Sequence, residues 1–208
     1  MPKRTARPTP TRKLRRAPLT LIFGRMKSGK SYQAKSVVRS TRGRVWVWDP
    51  NAEWAGSDAV DAPGDLWPAT DWQHALNYIA RGGDAERVAW QLRAERFPAW
   101  CELVRRTGGM LAVVDEAHDV VAPHRVPAEC MRLVRRTRHS RIDLVFVAQR
   151  PAGVDVSIRS QAHQVVSFQQ TEARDLDWIG GHCGRDVRRR VEQLPVRECV
   201  VWEAGRKV

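Results

Sequence analysis

Short apolar runs recur along the chain from residue 19 onward, separated by longer stretches of mixed polarity. Several are continuously apolar and rich in Val and Trp, a pattern typical of strands covered on both faces of a parallel sheet. The runs are LTLIF (19–23), RVWVWD (44–49), RVAWQL (87–92), MLAVVD (110–115), DLVFVAQ (143–149), HQVVSFQ (163–169) and ECVVWE (198–203). We therefore predict seven strands.

The stretches between these runs include segments compatible with helices. We predict helices after Gly29, around residues 128–138 and around residues 172–179. This alternation predicts an α/β fold in which a twisted, mainly parallel sheet carries helices on both faces. Residues 51–81 are rich in Asp, Pro, Gly and Trp and show no clear pattern.

The chain has 208 residues, enough for one α/β domain with a sizeable core but too few for two full-sized domains. Four prolines, at positions 2, 8, 10 and 18, prevent a helix from propagating through the amino-terminal segment. We predict a flexible basic tail over residues 1–18 and one folded domain over residues 19–208.

The formal net charge is +13, and much of it lies in this tail. The tail contains no acidic residue and seven basic ones: Lys3, Arg4, Arg7, Arg12, Lys13, Arg15 and Arg16. Such a chain attracts polyanions, of which nucleic acid is the most obvious, although a basic run is also often only a solvated arm.

Four cysteines lie far apart with no C-x-x-C pair, which argues against a zinc site or a disulfide framework. No apolar run approaches the roughly 18 residues needed to span a bilayer. Residues 19–23 are too few for the apolar core of a signal peptide, which needs roughly 7 to 15 residues. We expect a cytoplasmic protein.

The most specific motif follows the first predicted strand. Residues 24–31, GRMKSGKS, match the phosphate loop G-x-x-x-x-G-K-[ST] (Walker A) at every fixed position, between a strand and a helix-compatible stretch. The predicted binding residues are Gly24, Arg25, Met26, Lys27, Ser28, Gly29, Lys30 and Ser31. In such a loop successive N–H groups surround the β-phosphate of ATP, Lys30 neutralises β and γ oxygens, and the Ser31 hydroxyl binds Mg²⁺.

Lys27 stands where related loops often have glycine. Two explanations are open. Either the turn is made without the flexibility of glycine, or Lys27 adds a second cation beside the phosphates.

A strand that ends in two carboxylates is typical of the Walker B element of nucleotide hydrolases. We predict that Asp115 supports Mg²⁺ through water and that Glu116 activates the attacking water as general base. The alternative is an acidic helix N-cap after a buried strand. With Ala117 and His118 the letters spell DEAH, but a helicase of that kind needs two such domains and at least about 300 residues. We exclude that assignment.

Two more predicted strands end in polar residues. Asp49 closes the second strand before Pro50, where a simple turn is an equally good explanation. Gln149 follows an apolar strand at the edge where parallel sheets bind ligands, so we predict that it senses the γ-phosphate or orients water. An incidental strand-end glutamine is the alternative.

Five arginines surround the helix predicted before the Gln149 strand: Arg132, Arg135, Arg136, Arg138 and Arg141. They are a solvated face, a polyanion-contacting surface, or the source of an arginine finger that reaches a neighbouring subunit's nucleotide. Arg138 and Arg141 are the finger candidates, because they lie nearest to that strand in sequence.

Together these motifs resemble the FtsK/HerA superfamily of P-loop ATPases. The matching segments are GRMKSGKS, WDPNAEW, LAVVDE and TRHSRIDLVFVAQRP, in that order, and residues 154–168 resemble the segment that follows Q-R-P in the family. Within the superfamily the chain is most similar to genome-packaging ATPases of tailless icosahedral viruses with an internal membrane. The ATPase region of zonula-occludens-toxin-like proteins comes next.

The resemblance implies a Mg²⁺-dependent ATPase that forms a hexameric ring and passes double-stranded DNA through its pore, for example into a viral capsid. Capsid or viral membrane proteins are then further partners, and the expected location is the host cytoplasm or the virion. Two alternatives stay open. One is an assembly ATPase for filamentous phage that acts on proteins, and the other is a nucleotide switch or small-molecule kinase.

Overall fold

One eight-stranded sheet forms the centre of the chain, in a computed structural model that describes residues 16–56, 62–63, 65–80 and 86–205. The strands are β1 (Leu19–Phe23), β2 (Val45–Trp48), β3 (Trp67–Ala69), β4 (Arg87–Trp90), β5 (Met110–Val114), β6 (Ile142–Ala148), β7 (Gln164–Phe168) and β8 (Cys199–Glu203). Their order is β3-β4-β2-β5-β6-β1-β7-β8. Every pair is parallel except β7 and β8, which are antiparallel.

The helices cover the two faces of this sheet unequally. They are α1 (Lys30–Ser40), α2 (Trp72–Ala80), α3 (Phe97–Thr107), α4 (Ala128–Arg136), α5 (Val156–Arg159), α6 (Ala173–Cys183) and α7 (Arg185–Glu192). Ala34 and Val38 of α1 pack with Ile22 and Val47 on one face. The other six helices contribute to the core on the opposite face. Within the described part of the chain, none of these helices has both the length and the apolar character to span a bilayer.

Each of the seven predicted strands is present, and the predicted α/β class is confirmed. The predicted helix at 128–138 ends at Arg136, and the one at 172–179 continues to Cys183. Strand β3 and helices α2, α3, α5 and α7 were not predicted. The predicted tail and domain boundaries remain predictions, because residues 1–15 lie outside the described residues.

His182 and Cys183 lie at the carboxyl end of α6. The His182 ring stacks on Trp178 at 5.0 Å between centroids. Burial raises the pKa of the Cys183 thiol to about 12. Both side chains therefore belong to the packing of α6 against the sheet.

The parallel strands bring the sequence motifs to one edge. Because β1, β2, β5 and β6 are parallel neighbours, their carboxyl ends lie on the same side of the sheet. The phosphate loop follows β1, Asp49 follows β2, the two carboxylates follow β5 and Gln149 follows β6. This is the edge at which open α/β sheets bind ligands.

Candidate nucleotide-binding site

The phosphate loop connects β1 to α1 at this edge. The Gly24 N–H donates to the carbonyl of Ala148 at 3.2 Å, and the Ser28 N–H donates to the carbonyl of Arg25 at 3.1 Å. Helix α1 begins at Lys30 without a side-chain cap and with no acidic residue in its first turn. The loop therefore leaves the first N–H groups of α1, and the positive end of its dipole, open to an anion.

Phe168, at the end of β7, forms the floor of the loop. A Cβ added at Gly24 would lie 2.2 Å from Ser28 Oγ and 3.1 Å from the Phe168 ring. At Gly29, whose φ of +108° already disfavours other residues, a Cβ would lie 3.2 Å from the same ring. Both glycines thus pack closely against Phe168, a residue that is not part of the phosphate-loop motif.

Lys27 makes the turn of the loop in a backbone conformation that glycine adopts more easily. Its φ is +63°, in the left-handed region that costs a non-glycine residue about 1 to 2 kcal/mol. Its side chain is exposed, like those of Arg25 and Met26. Of the two explanations left open by the sequence, the first is therefore found, and a role of Lys27 as a second cation stays a hypothesis.

Asp115 is buried at the end of β5 with a defined partner for each oxygen. The Glu116 N–H donates to Oδ1 at 3.0 Å, and the indole Nε1 of Trp54 donates to Oδ2 at 2.7 Å. Burial raises the pKa of the Asp115 carboxyl above its ordinary value, while the Trp54 hydrogen bond and the charge of Lys30 lower it. A carboxylate accepts about four hydrogen bonds, so two lone pairs remain for further contacts.

Glu116 meets the phosphate loop directly. Lys30 Nζ lies 3.3 Å from Glu116 Oε1 and donates to it, which joins two motifs 86 residues apart. The second oxygen, Oε2, is buried and accepts no hydrogen bond within the described residues. His118 Nδ1 lies 3.3 Å from it, but the two atoms are not aligned for a hydrogen bond.

The backbone of Glu116 is also unusual. Its φ of +43° and ψ of +48° place it in the left-handed region. Non-glycine residues held there cluster at functional sites, because the surrounding structure must offset the strain. The single turn that follows, Ala117–Asp119, begins at this residue. Among the described residues, the Asp115 side chain accepts hydrogen bonds only from the adjacent Glu116 N–H and from Trp54, so the helix-cap alternative does not apply to it.

Asp49 organises the loop that brings Trp54 to Asp115. Its fully buried carboxylate accepts hydrogen bonds from the backbone N–H groups of Glu53 at 2.8 Å and Trp54 at 3.1 Å, and from Gln91 Nε2 at 3.3 Å. Burial raises the pKa of Asp49, and these hydrogen bonds oppose the effect. The turn after β2 is therefore more than a proline turn, because it places an indole N–H on a carboxylate 61 residues away.

Gln149 follows β6 with an exposed side chain, next to the Ala148 carbonyl that binds the loop. The following residue, Arg150, is held by α6. Its Nε donates to Asp175 Oδ2 at 2.7 Å, and the Ala152 N–H donates to Oδ1 of the same carboxylate at 2.8 Å. Arg150 is thus held by Asp175, while the Gln149 side chain has no such restraint among the described residues.

Arg138 and Arg141 lie before β6, at the opposite edge of the sheet from the phosphate loop. The seven residues of β6 separate them from it by roughly 20 Å. Arg138 Nη2 lies 2.7 Å from His163 Nε2, and Arg141 is exposed with a φ of +52°. One chain does not bring either residue to its own loop, and their action on a neighbour's nucleotide stays a prediction.

Comparison with protein-family models gave no match, and comparison with curated protein sequences gave none either. Solved structures do match. The genome packaging NTPase B204 from Sulfolobus turreted icosahedral virus 2, in complex with AMPPCP, is 20% identical with a TM-score of 0.74, over 91% of this chain and 94% of that chain.

B204, the DNA-packaging ATPase from Sulfolobus turreted icosahedral virus, is 19% identical with a TM-score of 0.70, over 90% of this chain and 92% of that one. The N-terminal domain of zonular occludens toxin from Neisseria meningitidis is 18% identical with a TM-score of 0.47, over 76% and 80%. The match to the viral packaging proteins agrees with the resemblance expected from the motifs. The chain has the P-loop NTPase fold of the viral packaging proteins.

Proposed function

We propose that this chain is a Mg²⁺-dependent ATPase motor that translocates double-stranded DNA and packages a viral genome into a capsid. One observation carries the ATPase assignment: the Lys30 ammonium of the phosphate loop lies 3.3 Å from the carboxylate of Glu116 at the ligand-binding edge. A phosphate-binding cation and a candidate general base are thus adjacent. Similarity to packaging NTPases supports the motor assignment.

The residues present fit a triphosphate with Mg²⁺. The first turn of α1 is uncapped, and Ser28 Oγ and Glu116 Oε2 are buried without hydrogen-bond partners within the described residues. Ser31 and Asp115 would hold Mg²⁺, which supplies charge neutralisation at the phosphates. No group of three or more His, Cys, Asp or Glu side chains among the described residues could hold a metal alone. Phosphate oxygens and water would complete its shell, as Mg²⁺ prefers.

The pair between Lys30 and Glu116 gives an order of events. When Lys30 turns to the β and γ oxygens of ATP, Glu116 loses its partner. Its carboxylate then takes the proton of the attacking water, and Gln149 orients that water at the γ-phosphate. An arginine from a neighbouring subunit, Arg138 or Arg141, stabilises the charge of the transition state. This last role requires a ring of subunits, for which we propose a hexamer of the FtsK/HerA type.

DNA as the cargo is supported by charge as well as by similarity. The chain carries a net charge of +13, and such a surface binds the phosphate backbone with an affinity that falls steeply with salt. Capsid or viral membrane proteins would be further partners, in the host cytoplasm or the virion. A phage assembly ATPase that acts on proteins, and a nucleotide switch or kinase, remain alternatives.

Duplex DNA is expected to stimulate ATP hydrolysis by the full chain, and the stimulation is expected to fade as salt is raised. The measurement is phosphate release with and without linear duplex DNA over a range of salt concentrations. Heparin, a polyanion without bases, is the control for charge alone. Turnover that is unchanged by DNA but abolished by Glu116→Gln would leave an ATPase and remove the motor assignment.

Replacing Trp54 with phenylalanine is expected to raise the Mg²⁺ concentration needed for half-maximal hydrolysis by about tenfold, the effect of one hydrogen bond to a charged group. The indole N–H donates to Asp115 at 2.7 Å, and phenylalanine keeps an aromatic ring, smaller than indole, but not the donor. Trp67→Phe, at the sheet edge in β3, is the control. A fall in melting temperature without a change in Mg²⁺ dependence would show that Trp54 is only structural.

A further inference from the structure

A short turn between α7 and β8 lies directly beside the phosphate loop. The turn Pro195–Glu198 is closed by a hydrogen bond from the Glu198 N–H to the Pro195 carbonyl at 3.1 Å. A Cβ placed on Gly29 would lie 4.0 Å from the Cα of Arg197. The two central residues of the turn, Val196 and Arg197, are therefore held next to the end of the loop where α1 begins.

The turn is anchored to the sheet on both sides. Gln169 Nε2, just after β7, donates to the Glu192 carbonyl at the end of α7 at 3.3 Å. Directly after the turn, Cys199 pairs with Phe168, whose ring is the floor of the phosphate loop. Strand β7, which supports the phosphate loop through Phe168, thus also fixes the position of Val196 and Arg197.

Exposed apolar side chains occur on the phosphate loop and on the segments beside it. Only four large apolar side chains are exposed among the described residues, and three of them belong to the loop, the first turn of α1 or the turn beside it: Met26, Tyr32 and Val196. Val196 is 75% exposed. Exposed apolar side chains next to a phosphate site suit an aromatic ring, because small-molecule sites combine apolar walls with a few polar groups.

Arg197 occupies a backbone position that favours glycine. Its φ is +71° at the second central position of the turn, where a non-glycine residue is strained. Its side chain is exposed and makes no ion pair or hydrogen bond within the part of the chain that the structure describes. Strain of this kind is a reason to look for a function of the side chain.

The charges at the loop point in the same direction. The Lys30 ammonium is paired with the Glu116 carboxylate, and Asp115 adds a second carboxylate close by. Of the other arginines considered above, Arg138 and Arg141 lie at the opposite edge of the sheet, and Arg150 is bound to Asp175. Arg197 lies outside the loop in sequence, but its backbone lies against Gly29 of the loop.

We propose that the turn Pro195–Glu198 forms the nucleoside side of the nucleotide site, with Val196 packed on the purine ring and Arg197 bound to the triphosphate. This assignment rests on the proposed function, because it requires a nucleotide on the loop. The proposal involves two different contacts, and two ligands allow each contact to be tested separately. Inorganic tripolyphosphate tests the Arg197 contact alone, whereas a non-hydrolysable ATP analogue tests both.

Arg197→Gly in the full chain is expected to weaken binding of the ATP analogue and of tripolyphosphate by about tenfold, the effect of one charge-assisted contact. Glycine adopts the φ of this position without strain, so weaker binding by this variant cannot be explained by a destabilised turn. Arg197→Lys is expected to restore most of the affinity. Titration calorimetry measures both ligands, with Arg190→Gln in α7 as the control. Wild-type affinity in Arg197→Gly would overturn the role of Arg197.

Val196→Ser is expected to weaken binding of the ATP analogue about fivefold, as expected for loss of one buried apolar contact, and to leave tripolyphosphate binding unchanged. An equal effect on both ligands, or none on either, would overturn the base contact. Lys30→Ala distinguishes this proposal from the proposed function. If Lys30→Ala binds both ligands as well as the wild type, the nucleotide site itself is wrong. If Lys30→Ala binds the ligands more weakly but Arg197→Gly and Val196→Ser bind them as the wild type does, the nucleotide site stands and only the role of the turn is excluded.

Discussion

Glu116→Gln is expected to lower kcat for ATP hydrolysis by about 10²- to 10⁴-fold, the usual contribution of a general base, while ATP still binds. Glutamine keeps the size of the side chain but cannot accept the proton of the attacking water. It also removes the charge that holds Lys30 at 3.3 Å, so Lys30 is free to bind phosphate oxygens. Steady-state phosphate release gives kcat, and calorimetry with a non-hydrolysable analogue gives the affinity.

Glu95→Gln is the matched control, because this glutamate is exposed in the turn before α3 and is expected to leave turnover unchanged. Wild-type turnover in Glu116→Gln would show that another group activates water. Loss of turnover together with loss of ATP affinity would instead assign Glu116 to binding and not to proton transfer.

Lys30→Ala is expected to weaken ATP binding by about 100-fold or more, because we propose that Lys30 contacts two phosphates and each charge-assisted contact is worth about 1.5 to 3 kcal/mol. The Lys30 side chain is buried beside Glu116, whose second oxygen already lacks a partner within the described residues. Removal of Lys30 also leaves Glu116 without its cation. We therefore expect a lower melting temperature as well as a lower affinity, measured by thermal unfolding and calorimetry.

Arg42→Ala removes an exposed cation just beyond the end of α1 and serves as the control for a general loss of positive charge. Equal affinities of Lys30→Ala and Arg42→Ala for ATP would contradict the phosphate-loop assignment. Retained ATP binding in Lys30→Ala with lost turnover would place Lys30 in transition-state stabilisation instead.

The strands were predictable because buried parallel strands leave a distinctive pattern. The run MLAVVD is apolar throughout β5, and DLVFVAQ is apolar throughout β6 except at Asp143, because both strands are covered on both faces. Strand β3 escaped prediction because it has three residues, one of them Pro68, at the edge of the sheet.

The missed helices lack such a clear pattern. Helix α3 begins Phe-Pro in a stretch with no obvious cap, and the sequence RDVRRRVE of α7 has only Val187 and Val191 as apolar residues. Two valines at spacing i and i+4 mark one buried stripe, but eight residues are too few for a reliable helical period. Their packing against the sheet stabilises these helices, and that packing is not visible in the local sequence.

Residues of the site were predictable where they directly follow a strand. Lys30, Asp115, Glu116 and Gln149 all lie at the carboxyl edge, because a parallel sheet brings these strand ends together. Their catalytic and binding roles stay predictions.

Trp54, Phe168 and Arg197 could not be predicted in the same way. Each reaches the site through a contact between segments far apart in sequence, as in the bond from Trp54 to Asp115 across 61 positions. No short motif records such a contact.

The aromatic ring under the phosphate loop has a mechanical consequence. A Cβ placed on Gly24 or Gly29 would lie 3.1 or 3.2 Å from the Phe168 ring, so the end of β7 packs closely against the loop. Helix α6 follows β7 after a few residues, and β8 is hydrogen-bonded alongside it. If nucleotide displaces the loop, we therefore expect the displacement to be transmitted through Phe168 to β7 and β8, and from β7 to α6.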